Sequence, residues 1–290
     1  MLPEISVSGQ EKLKQTSILV VGAGGLGCSV LQYLTAAGIG TIGIVDFDKI
    51  DESNLQRQVL YSTDEVGKSK VDSAINRLSM QNPNVKFVSH FLRMTNLNAL
   101  DIIKSYDIII DGTDNFQTRY LINDACVLLN KILVYGSVYR FEGQVSVFNY
   151  AKEKEERGPN YRCLFPQPSA PEMAPNCSEI GVLGVLPGII GALQANEAIK
   201  IICSIGNVLS GQLLTFNALT MEFFTVEFER NKLISETTPA TIADFKKMDY
   251  DSFCNNVSSE NIKNISSDAL NELIERQKSS IQLFLTLLQR

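Results

Sequence analysis

The stretch that decides the fold is Ile18-Leu19-Val20-Val21-Gly22-Ala23-Gly24-Gly25-Leu26-Gly27, followed by a helical run to Ala37 and a second apolar run, Thr41–Val45, that ends in Asp46. An apolar strand feeding a glycine turn and then a helix is the phosphate-facing unit of nucleotide-binding α/β sheets. The glycines Gly22, Gly24, Gly25 and Gly27 let the backbone turn tightly and approach a phosphate or ribose. The helix N-terminus offers free N–H groups to an anion, and an acid at the tip of the next strand, Asp46, can hold ribose hydroxyls. Taken alone, the unit implies a nucleotide and permits an NAD-dependent oxidoreductase.

The same alternation continues outward. Apolar β-type runs fall at Ile18–Val21, Thr41–Val45, Val85–Ser89, Asp107–Ile110 and Ile132–Tyr135, with helical patterns near Gly25–Ala37, Gly67–Met80, Asn96–Lys104 and Phe116–Leu129. This rhythm predicts an α/β fold with a doubly wound, Rossmann-like, mostly parallel sheet. After Gly136 the pattern changes. Gln144–Phe148 alternates as a strand, the proline-rich Tyr161–Asn176 reads as a crossover loop, and Ile180–Cys203 as one long helix. Gln212–Phe216 and Glu222–Glu229 read as antiparallel strands that continue the sheet. The organisation expected is a main domain over 1–230, a linker over 231–260, and a short C-terminal extension over 261–290 with no core of its own.

Composition narrows the function classes. The chain has 290 residues and a formal net charge of −6, which argues against wholesale nucleic-acid binding. Its start lacks a basic segment leading into an apolar core, and the longest apolar stretch is interrupted by Pro187 and glycines, so neither a secretory leader nor a membrane span is expected. The six scattered cysteines read as reduced thiols of a cytoplasmic protein.

The loop after Asp46 turns nucleotide binding toward nucleotide chemistry. Asp48 and Ser53-Asn54-Leu55-Gln56-Arg57-Gln58 bring a cation and amides to the place where a triphosphate would lie, and a transferase needs such groups to neutralise a leaving pyrophosphate. Lys70, in the first turn of a helix, reads either as a solvated surface charge or as a cation kept against the helix dipole by a nearby anion. Asp111-Gly112-Thr113-Asp114-Asn115 reads as a turn with a helix N-cap at Asp114 or Asn115. In the same turn Asp114 could be an oxygen ligand for Mg²⁺. Cys177 reads as a small buried residue or as a thiolate activated at the start of the long helix. His90, the sole histidine, has no suggestive neighbour in sequence.

Together these motifs resemble the ThiF/MoeB family, relatives of the ubiquitin-activating enzymes. The likeness runs from about Gly9 to Glu229 and adds Val66-Gly-x-x-Lys70, Glu142-Gly-Gln144, Asn176-Cys-Ser-Glu-x-Gly-Val-Leu-Gly184 and Gln194-Ala-x-Glu-Ala-Ile-Lys200. The resemblance implies an adenylyltransferase that uses ATP and Mg²⁺ to activate the C-terminal glycine of a ubiquitin-like sulfur-carrier protein for thiamine or molybdopterin synthesis. It implies a homodimer, with Gly25 against the nucleotide and Asp46 on the ribose. Asn54, Arg57 and Lys70 would handle the phosphates and Asp114 the metal, and Cys177 matches a cysteine that some members use in a covalent step.

The chain departs from the family pattern in three places. An Arg-Tyr-x-Arg-Gln segment, whose arginine reaches the partner's ATP, is not present before Met1-Leu2-Pro3-Glu4. A truncated homologue that binds nucleotide or carrier without turnover is therefore the alternative expectation. Asn160-Tyr161-Arg162-Cys163 keeps one cysteine of a family zinc pair and Asn231–Thr238 has none of the second, so no zinc is expected. Asp249–Cys254 and the tail resemble the opening of a rhodanese-like domain without its active-site cysteine.

Overall fold

The computed structural model describes residues 2–151, 156–168, 181–231, 234 and 238–255. Helix α1 (Ser6–Gln15) leads into β1 (Ser17–Val21), α2 (Gly25–Ala37), β2 (Thr41–Val45), α3 (Lys70–Gln81) and β3 (Lys86–His90). Next come α4 (Ala99–Ile103), β4 (Ile108–Asp111), α5 (Phe116–Leu128) and the hairpin β5 (Ile132–Tyr139) and β6 (Glu142–Phe148). A short α6 (Tyr161–Leu164), the long α7 (Leu186–Cys203), β7 (Gln212–Asn217), β8 (Glu222–Glu227), α8 (Ile242–Lys247) and α9 (Tyr250–Asn255) complete the described chain.

All eight strands form one sheet in the order β3-β2-β1-β4-β5-β6-β7-β8. The first five run parallel, and β6, β7 and β8 are antiparallel. In β1 and β4 nearly every residue is buried, as expected of parallel strands covered on both faces. One core cluster joins α2, α3 and α7 to the sheet through residues such as Leu31, Leu34, Val71 and Ala198. On the other face Ile103, Tyr120, Ile122, Phe245 and Tyr250 form the second. The strand order reverses between β1 and β4, and at such a switch point the loops beyond the strand ends diverge and leave a crevice.

The alternation of strand and helix is as expected from the sequence, but some bounds differ. The long helix begins at Leu186, not Ile180: Pro187 sits in its first turn, where a missing N–H costs nothing, and Val182 forms a bridge with Arg140 instead. Within 231–260, α8 and α9 pack on the main core, with Phe245, Tyr250 and Cys254 buried. His90 does have a neighbour: its Nε2 lies 2.8 Å from the Tyr106 hydroxyl. Cys177 and the 261–290 stretch lie outside the described residues.

Candidate functional site

A cavity of about 570 Å³ opens at the switch point, within the range of small-molecule sites. Gly22, Gly24 and Gly25 form its floor. Gly22 has φ +96°, a conformation that L side chains avoid. Gly27 is not in the cavity. A Cβ there would lie 2.0 Å from the Gly22 carbonyl oxygen, so this glycine lets the turn close on its own helix.

Asp46 ties two loops together. Its Oδ2 accepts the Ala23 N–H at 2.8 Å and its Oδ1 the Asp48 N–H at 2.8 Å. Burial pushes its carboxyl above the usual aspartate value, against the pull of the nearby Lys70 charge. Each oxygen keeps a second lone pair, so a hydroxyl donor can still be accepted. Tyr61 steadies the same turn by donating to the Ala23 carbonyl at 2.8 Å. Beneath it the Cys28 thiol is pushed up to about 12 by burial and is inert as a nucleophile.

The loop after β2 builds one side of the cavity. A 3-10 turn at Glu52–Asn54, capped by Asp51, presents Ser53, Asn54, Arg57 and Gln58 to the cavity. Arg57 donates through Nη1 to the Ser53 carbonyl at 3.1 Å, which holds the guanidinium across the turn. Leu55 packs on the first core cluster and Gln56 lies against Gly184, so neither reaches the cavity. Of the two readings of Lys70, the solvated surface charge is not what the fold gives, and the cation does lie beside an anion, the Asp48 carboxylate. Lys70 is 5 % exposed and its Nζ is 3.0 Å from Asp48 Oδ2 at the cavity wall.

Across the crevice, β4 ends at Asp111. This carboxylate accepts the Thr113 N–H at 2.9 Å and the Thr113 hydroxyl at 2.6 Å, while Arg119 donates to the Thr113 carbonyl at 3.0 Å. Gln194 supports the turn from below, donating to the Asp111 carbonyl at 2.7 Å. Asn115 is the helix cap, accepting the Thr118 N–H at 2.9 Å. Asp114 is thereby left exposed in the cavity, with no protein partner among the described residues. The sequence reading missed Leu92, Met94 and Arg119, which also line the cavity, because none stands in a glycine, acid or cation motif.

One cavity therefore gathers a glycine turn, the buried carboxylate of Asp46, several cations, Arg57 and Lys70 among them, and the exposed carboxylate of Asp114. The sequence profile of the ThiF family matches residues 1–236. The chain belongs to the ThiF family. Among ThiF-type relatives it is 47% identical over 258 residues to the sulfur carrier protein adenylyltransferase of Thermus thermophilus, covering 88% of this chain and 93% of that protein. It is 47% identical over 260 residues to the probable adenylyltransferase/sulfurtransferase MoeZ of Mycobacterium tuberculosis, covering 90% of this chain. It is 48% identical over 254 residues to the adenylyltransferase and sulfurtransferase MOCS3 of Aedes aegypti, covering 88% of this chain. The chain spans less than two thirds of those last two, 64% and 57% of their lengths. The E. coli MccB structure with ATP shares the fold, with TM-score 0.66 at 23% identity, covering 77% of this chain and 67% of that one.

The residues do not fit the zinc site of some ThiF/MoeB members. Asn160 stands where the first thiolate would be, and its side chain caps α6 by accepting the Arg162 N–H at 2.9 Å. Its neighbour Arg162 is fully buried and forms a two-pronged ion pair with Asp124, both bonds 2.7 Å. Tyr250 donates to the same carboxylate at 2.9 Å. No helix among the described residues is long and apolar enough to cross a membrane.

Proposed function

We propose that this chain uses ATP to adenylate the C-terminal glycine carboxylate of a ubiquitin-like sulfur-carrier protein, releasing pyrophosphate. The observation that carries the reading is the joint presence of Asp46, Arg57, Lys70 and Asp114 in one cavity of a ThiF-family chain. A carrier carboxylate oxygen bonds to the α-phosphorus as the bond to the pyrophosphate oxygen breaks, so negative charge gathers on the leaving group. Arg57 and Lys70 are preorganised to neutralise it, and Asp46 accepts from the ribose.

Asp114 suits Mg²⁺, a hard cation that keeps several waters and takes one or two carboxylates beside substrate phosphates. When bound, the ion supplies further charge neutralisation across the phosphates. The carrier's flexible Gly-Gly end enters beside the β5–β6 hairpin at Arg140–Gln144, where Val138 and Val182 line the cavity mouth. We assign Cys177 to a step after adenylation and the functional unit to a homodimer. The free cysteines among the described residues suit the cytoplasm.

ATP–pyrophosphate exchange with Mg²⁺ and candidate carriers from the same genome tests the proposal. Carrier-dependent exchange supports it and names the pathway, thiamine or molybdopterin. Absence of exchange with every carrier, while ATP still binds, supports a binding-only homologue instead.

A further inference from the structure

One wall of the cavity is the loop between β3 and α4, which leaves the sheet beside the end of β2. Leu92, Arg93 and Met94 from this loop face the cavity next to Asp46. A nucleotide whose ribose lies at Asp46 therefore sets its base against this loop, whose Met94 and Leu92 give it an apolar surface.

The loop has no regular structure and is held by side-chain bonds. Asn98 accepts the Thr95 N–H at 2.8 Å and donates to the Arg93 carbonyl at 3.0 Å, which fixes the loop to itself. Asn96 fixes it to the rest of the molecule. Its Nδ2 lies 2.8 Å from the Lys246 carbonyl and 3.0 Å from the Met248 carbonyl. Both carbonyls belong to the C-terminal end of α8, where a helix leaves its last oxygens without partners. The other link, Arg93 to Asp251 at 3.8 Å, is between exposed side chains and contributes little.

Behind the loop is a second cavity, of about 340 Å³, between Met94 and Asn96 on one side and Met248 and Tyr250 on the other. The loop is thus only partly backed by packing: Met94 and Leu92 join the second core cluster, but the gap beside Asn96 leaves space for the loop to retreat. We propose that Asn96 is a positioning residue for the nucleotide, tying the base-side wall of the cleft to the α8–α9 pair so that the wall cannot fall back. The inference rests on the nucleotide reading of the cleft. A primary amide is suited to the task because one nitrogen carries two donors for two carbonyls. Aspartate has the same shape but sets an acceptor against them.

The test is calorimetric titration of the full chain and its Asn96→Ala and Asn96→Asp variants with two probes in Mg²⁺, ATP and inorganic tripolyphosphate. Tripolyphosphate has no base or ribose. Both variants are expected to bind ATP roughly tenfold more weakly, the scale of about one net hydrogen bond, and tripolyphosphate as the unaltered chain does. In exchange assays the KM for ATP rises with kcat unchanged. Unaltered ATP affinity would overturn the inference, whatever happens to Tm, since Asn96 would then be only a helix cap. Equal weakening toward both probes would overturn it too, by showing general loosening. Failure of the unaltered chain to bind ATP would overturn the nucleotide reading itself, and this inference with it.

Discussion

Asp46 is pinned by two backbone N–H groups and in the proposed function also takes ribose hydroxyls, which only its ionised form can do with both oxygens. Burial raises its carboxyl above the ordinary 3.8, so the folded chain takes up this proton before an unfolded chain does. The site thus favours folding more as pH falls, a contribution lost as pH rises through the folded value, while nucleotide binding changes in the opposite sense. The KM for ATP should climb on the acid side at a higher pH than an ordinary aspartate would give, and a profile that climbs only where a free aspartate titrates would contradict the assignment. Arg57→Ala should slow adenylation by roughly 10²–10³, as loss of one preorganised donor does, with the far-UV spectrum unchanged. Asp114→Ala should do the same and raise the Mg²⁺ requirement, and wild-type-like turnover in either variant would contradict its role. Cys177→Ala should leave pyrophosphate exchange intact. Most of these side chains were legible in sequence because each sits in a motif whose spacing follows from the β-loop-α geometry. The burial of Lys70 was not legible, since its partner Asp48 lies twenty-two positions away on a loop whose path only the folded sheet decides.

At the scale of elements, the clearest feature is the Arg162–Asp124 pair that joins α6 to α5, with the guanidinium 4.8 Å from the ring centres of both Tyr120 and Phe253. A buried charge left alone is costly, so Arg162→Met should destabilise the chain by about 3–5 kcal/mol. The double change Arg162→Met with Asp124→Leu should recover much of that in urea titrations, whereas Tyr250→Phe should cost only about 1 kcal/mol. No pattern in the sequence pointed to this pair, because Asp124 looks like an ordinary polar position in α5 and its partners come from later elements. Helix α2, by contrast, has the bounds expected. A glycine turn starts it, and Gly38 stops it with φ +79°, so both ends are written locally. The start of α7 was misread because the apolar run from Ile180 does not distinguish helix from the extended stretch that bridges to Arg140.

For the whole molecule, the alternation of strands and helices was enough to expect a mostly parallel sheet continued by antiparallel strands, and the eight-stranded sheet has that form, with the reversal made at the β5–β6 hairpin. The proposed homodimer belongs to this scale. Phe141, Leu183 and Val185 are 41, 39 and 60 % exposed and lie near one another, because Leu183 donates to the carbonyl of Arg140. Such a patch is suited to burial against a second copy. Val185→Glu should shift the sedimentation coefficient toward the monomer, and a chain already monomeric at micromolar concentration would remove the dimer assignment.

The link from Tyr250 to Asp124 spans 126 positions. Among the described residues, by contrast, every one that lines the cavity occurs at or before Pro187. A chain emerging from the ribosome N-terminus first has therefore released all the residues of its nucleotide cleft well before α8 and α9 exist to brace it. A ligand that binds the folded cleft and not the unfolded chain adds to its stability by mass action. Among the described residues the lining of the cleft thus precedes its brace, so synthesis runs from the site outward to its support.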